Sequence, residues 1–153
     1  MATPQVKASA ERRALERFCE LLGDEGAWCS VESREPPEPD LLCVHASRGP
    51  VAFELVAITD PLIARVNAGF GTSPDGTYVT ADPTERIIRK KLGRTYVTAY
   101  EVELLVYNDF LVVTPDDVIV EGVIRWLDAK SHAFARAWFM GEHRASCIWT
   151  ATG

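Results

Sequence analysis

Apolar positions along the chain change from helical to extended spacing and back. Between Ser9 and Leu22, Leu15, Phe18, Cys19 and Leu22 recur at i, i+3, i+4 and i+7, which predicts one buried helical face, and Gly23 supplies a stop. At about 100° per residue, Ala8 and Glu11 project onto that stripe, whereas Arg12, Arg13, Glu16 and Arg17 project away. From Ala27 to Val31 the pattern alternates, setting Ala27, Cys29 and Val31 against Trp28 and Ser30, which reads as a strand. The polar run from Glu32 to Pro39 then forces an extended loop. Leu41 to Ala46 and Val51 to Thr59 are almost continuously apolar, the pattern of strands covered on both faces, and they close a hairpin around Ser47, Arg48 and Gly49.

Beyond Asp60-Pro61, Leu62 to Gly69 has the composition of a short helix, and the Gly, Pro, Ser and Thr-rich stretch to Pro83 reads as a loop or lid. Its Gly69-Phe70-Gly71 lacks the further Gly and the Lys-Ser/Thr of a phosphate loop and is read as a turn. Asp82-Pro83-Thr84 opens a helix to about Leu92, closed by Gly93, with Ile87, Ile88 and Leu92 on its inner face. On the same projection Lys91 falls between these residues and Lys90 points away. Val102 to Tyr107 is an apolar strand. Thr114-Pro115-Asp116-Asp117 starts a helix that keeps Val118, Ile119, Gly122, Val123, Trp126 and Leu127 in helical spacing. Phe134 to Met140 and Ala145 to Thr150 form a final hairpin around Gly141-Glu142-His143. The order α-β-β-β-α-β-α-β-β, with early antiparallel strands and helical crossovers later, predicts an α/β domain with a mixed sheet flanked by helices.

Composition narrows this picture. The 153 residues fit one domain, residues 1–153, with 47% hydrophobic and 25% charged residues. No apolar run is long enough to span a bilayer, and the first residues lack the apolar core of a secretory signal, so a cytoplasmic protein without a membrane partner is expected. Cys19, Cys29, Cys43 and Cys147 form no CxxC pair and are expected as small core residues. His45, His132 and His143 have no metal-ligand spacing, and His45 is expected to be a hydrogen-bonded structural residue. The net charge of −6 argues against a broad phosphate-binding surface, while Arg86, Arg89, Lys90, Lys91 and Arg94 leave room for a local basic groove.

Three charges sit where apolar residues are expected. Glu54 interrupts the Phe53–Val56 run and needs a partner if buried, whether a cation, a basic side chain or another donor. Glu11 lies on the inner edge of its helix, or is a solvated first-turn glutamate favoured by the helix dipole. Lys91 faces inward, or lays its stem along the core and puts its ammonium in water. Two converging carboxylates suffice to seat a hard cation beside a phosphate. With Gly49 left-handed and a loop of Ser47-Arg48-Gly49, Leu42 would face Glu54 and Asp40 would face Val56, placing Asp40 and Glu54 on one side of the sheet.

Pro39-Asp40 followed by Phe53-Glu54-Leu55-Val56, in this order of elements, resembles the PD-(D/E)XK nuclease superfamily and implies a restriction-endonuclease-like fold. The resemblance implies Mg²⁺ or Mn²⁺ held by Asp40, Glu54 and Leu55, with DNA or RNA as partner. Val56 stands where that family has a lysine. Some members carry this lysine on a neighbouring helix, which points to Lys91, and several add an acid from the first helix, which points to Glu11. The implied catalytic set is Asp40, Glu54, Lys91 and Glu11, hydrolysing phosphodiesters with metal-activated water. Two other readings stay open: a catalytically inactive nuclease-like domain that binds protein or nucleic acid, and a homodimer paired through the Phe134–Met140 strand of the final hairpin.

Overall fold

A computed structural model describes residues 3–24, 26–59, 83–109, 112 and 114–152. The short helix and the glycine turn expected between Leu62 and Gly71 lie outside these residues. The described elements are α1 (Pro4–Leu22), β1 (Trp28–Ser33), β2 (Leu41–His45), β3 (Gly49–Ile58), α2 (Thr84–Leu92), β4 (Val102–Asn108), α3 (Asp116–Ala129), β5 (Phe134–Met140) and β6 (Ala145–Thr150). The fold is α/β, with the six strands in one mixed sheet in chain order. β2 runs antiparallel to both of its neighbours, β1 and β3; β3, β4 and β5 run parallel, and β6 returns antiparallel to β5.

Alternation along β3 divides the core. Val51, Phe53 and Leu55 join Leu15, Phe18 and Cys19 of α1 on one face. Ala52, Val56 and Ile58 join Ile88 and Leu92 of α2 and Ile119, Val123 and Leu127 of α3 on the other. Successive parallel crossovers moving the same way across a sheet, with one hand, must lie on one face, and α2 and α3 do so. Phe18 anchors α1 with edge-on ring contacts to Phe53 and Trp138.

Three local expectations are corrected. The first helix starts at Pro4, five residues before Ser9, because Thr3 caps it through its hydroxyl and Pro4 occupies the first turn. Glu11 is therefore a mid-helix residue, and the first-turn explanation for it fails. In the β2–β3 hairpin His45 faces Gly49, so the loop is Ala46-Ser47-Arg48 and Leu42 faces Ala52, not Glu54. That register continued outward sets Asp40 opposite Glu54, two residues from the expected partner and with side-chain parity kept. Gly49, at φ 78°, closes the loop in the left-handed region.

The register of β1 shifts between Trp28 and Val31, which brings both residues against the α1 core and turns Cys29 outward. Cys147 is also exposed, on β6, so only Cys19 and Cys43 are the buried thiols that were expected of all four. β5 is hydrogen-bonded to β4 on one side and β6 on the other, so the strand proposed as a dimerising edge is internal. No described helix is long and apolar enough to cross a membrane. Burial pushes the Cys43 thiol up to about 12. At pH 8 an aromatic disulfide reagent is therefore expected to label Cys29 and Cys147 quickly in the native chain, and all four cysteines only after unfolding. Rapid native labelling of Cys43 would contradict this packing.

Candidate functional site

β3 is the central support of the site. It pairs with β2 and β4, and its residues Val51 to Val56 are buried, so Glu54 is carried into the interior with them at 1% exposure. Its even-numbered position sends it to the face covered by α2. There Lys91 Nζ lies 2.5 Å and Arg94 3.2 Å from Glu54 Oε1. Lys91 reaches inward as its helical phase predicted, one position before the buried Leu92, and Lys90 is exposed.

The second carboxylate oxygen of Glu54 accepts from the Asp40 main-chain N–H at 3.2 Å, and Asp40 Oδ2 accepts from the Leu55 N–H at 2.9 Å. The reciprocal pair continues the β2–β3 ladder one step past Leu41 with side-chain acceptors. The acids thereby hold the strand ends as well as each other. Leu55, expected as a metal contact, enters the site through this N–H.

The remaining Asp40 oxygen turns toward α1. Lys7 Nζ is 3.0 Å from Asp40 Oδ1 and 2.9 Å from Glu11 Oε1. Burial raises the Glu11 pKa, Lys7 opposes the rise, and the negative charge of Asp40 adds to it. For Lys7, burial pulls the pKa down, but the hydrogen bonds and charges of Glu11 and Asp40 outweigh it and hold the value above that of an ordinary lysine. The four residues singled out from the sequence, Asp40, Glu54, Lys91 and Glu11, thus lie in one connected network with Lys7, Arg94 and the Leu55 main chain.

Lys7, Arg94 and Tyr96 were not singled out as site residues. Tyr96 packs near Phe134, and its hydroxyl is buried. Burial, and then the charge of Glu54, raises its pKa. Nothing in the sequence marks Lys7, because its role appears only once α1 begins at Pro4.

One further buried glutamate, besides Glu54 and Glu11, was overlooked. Glu103 in β4 is fully buried, with Arg48 2.7 Å and Trp138 Nε1 3.0 Å from its carboxylate. Glu54 and Glu103 interrupt similar apolar runs, but the parallel register pairs Glu103 with Phe53, so the two acids face opposite sides of the sheet. Glu103 belongs to a separate structural ion pair.

The expected structural role of His45 is borne out. Its Nε2 lies 3.3 Å from Asp24, and its Nδ1 receives the Ser47 and Arg48 N–H groups at 3.2 and 3.3 Å. The Ser47 hydroxyl is also 3.1 Å from Nδ1, but the main-chain donors engage that nitrogen as a turn cap. A serine-histidine nucleophile does not follow.

Comparison with family models, with curated proteins and with solved structures found no match. The chemistry of the site rests on its geometry. It holds three carboxylates, Glu11, Asp40 and Glu54, against three cations, Lys7, Lys91 and Arg94. Among the described residues no group of three or more His, Cys, Asp or Glu side chains is arranged to hold a metal ion. The oxygen-only donors nevertheless suit a hard cation, which needs only one or two protein carboxylates when phosphate supplies further oxygens.

Arg94 should compensate partly when Lys91 is removed. Lys91→Met is expected to cost about 1–3 kcal/mol, and Lys91→Met/Arg94→Met about 3–5 kcal/mol, the range for stranding a buried charge. Urea unfolding of wild type, both single variants and the double variant measures the coupling. Strictly additive losses would show that the two cations do not share Glu54.

Proposed function

We propose that this chain is a metal-dependent nuclease of the PD-(D/E)XK type, with a restriction-endonuclease-like fold. The observation that carries the reading is the meeting of Asp40, Glu54, Lys91 and Glu11, which come from the start of β2, from β3, from α2 and from α1. Lys91 approaches Glu54 from the helix and so supplies the cation that Val56 cannot. On the outer side of α2, Arg86 and Lys90 are exposed beside Arg89, which is paired with Glu85, a local basic surface beside the site suited to phosphate backbones.

In this reading Asp40 and Glu54 would hold Mg²⁺ or Mn²⁺, with Glu11 beside Asp40. Bound there, the cation supplies Lewis-acid stabilisation of the phosphate oxygens and lowers the pKa of water. Lys91 orients the Glu54 carboxylate and offers positive charge to the phosphate as negative charge builds on it. The Leu55 N–H fixes Asp40, and Arg94 helps to neutralise the site on the α2 side.

One observation favours a second reading, a catalytically inactive nuclease-like binding domain. Glu54 is almost fully buried, and both of its oxygens already accept from protein donors. Calorimetric titration of Mg²⁺ and Mn²⁺ into wild type and Asp40→Ala, beside assays of plasmid and RNA cleavage, separates the two. The nuclease reading expects binding and metal-dependent cleavage by wild type and loss of both in Asp40→Ala. Equal, absent binding and no cleavage by either chain would remove the nuclease reading and support the inactive domain.

A further inference from the structure

Two sets of cations neutralise the site, and they differ in freedom. Lys91 is largely enclosed against a carboxylate that has no other access to water. Lys7 bridges Glu11 and Asp40 from the solvent side, with 59% of its own side chain exposed. With its stem in water, the ammonium can leave these two nearly buried acids when another cation takes its place.

Local helix energetics do not hold Lys7 in place. It precedes Glu11 by four residues, the less favourable order for a lysine-glutamate pair along a helix. A cavity of about 480 Å³ opens beside it, lined by Pro4, Lys7, Ala8, Glu11, Ser33 and Arg34. Arg34, on the facing wall, is occupied by Glu32 and Glu38 at 2.9 and 3.0 Å and does not replace Lys7. The ammonium therefore occupies Asp40 Oδ1, the oxygen of that acid not engaged by the Leu55 N–H, with space to withdraw.

We propose that Lys7 is a tethered competitor for the divalent cation, neutralising Glu11 and Asp40 in the metal-free chain and swinging into the adjoining cavity when the cation binds. The proposal rests on the metal-site reading above and adds a residue that sets the site's affinity. Lys7 keeps the two acids from repelling each other in the absence of metal, and it raises the cation concentration at which the site fills.

Mn²⁺ titrated calorimetrically into the 153-residue wild type, Lys7→Met and Lys7→Arg tests this. Lys7→Met keeps the stem and removes the charge, and it is expected to bind Mn²⁺ about tenfold or more tightly than wild type. Lys7→Arg should stay close to wild type. A second measurement uses wild type alone: acetylation of Lys7 by an activated ester, followed by peptide mass spectrometry and normalised to the exposed Lys130. Saturating Mn²⁺ is expected to speed Lys7 acetylation several-fold by releasing its amine. Equal affinities in wild type and Lys7→Met, or unchanged acetylation while Mn²⁺ binds, would overturn the proposal and leave the metal site standing. Absence of Mn²⁺ binding in all three chains would overturn the metal-site reading and this proposal with it.

Discussion

A glutamate in the middle of the central strand is the constraint on which the rest of the site depends. Glu54 is 1% exposed, among neighbours that are nearly all apolar. An unpaired carboxylate there would carry a desolvation cost of several kcal/mol, a large part of what holds a domain of this size together. The fold meets the cost from two directions. α2 brings Lys91, and the segment just after its Gly93 cap brings Arg94, to one oxygen, and the residue before β2 brings a main-chain N–H to the other. The position of α2 over the sheet and the register of β2 against β3 are both tied to this one side chain.

The same contacts gather the acids and cations of the site around Asp40. Asp40 both supports Glu54, through its N–H, and is supported by β3, through the Leu55 N–H. Its free oxygen then faces α1, where Lys7 and Glu11 complete a neutral set. Charge is thus threaded from one face of the sheet to the other past the end of the β2–β3 ladder. Glu103 shows the contrast: it is equally buried, but its partners Arg48 and Trp138 saturate it away from this network. Burial of an acid is therefore not a functional signal by itself; here the distinguishing feature is the convergence of several acids and cations from separate elements.

Much of this arrangement was legible in the sequence. The inward phase of Glu11 and Lys91 followed from helical geometry, and the interruption of an apolar run marked Glu54. What was not legible came from shifts of one or two residues that periodicity cannot resolve. The Thr3 cap moved the helix start and brought Lys7 into play. The hairpin loop began one residue earlier, at Ala46, which changed the partner of Asp40 from Val56 to Glu54 without changing parity. The irregularity in β1 reversed the exposure expected of Cys29. Glu103 stood in plain view within Val102–Tyr107, but only the parallel register of β4 on β3 shows which face it takes.

Nuclear magnetic resonance of the full chain with substoichiometric Mn²⁺ tests the central claim, that Asp40, Glu54 and Glu11 form one cation seat. Paramagnetic broadening falls off steeply with distance, so the amides nearest the ion lose intensity first. The Asp40 and Leu55 amides, each hydrogen-bonded to a site carboxylate, are expected to broaden before those of the acidic surface around Asp116, Asp117 and Glu121. Early broadening confined to that surface, with Asp40 and Leu55 unaffected, would contradict it.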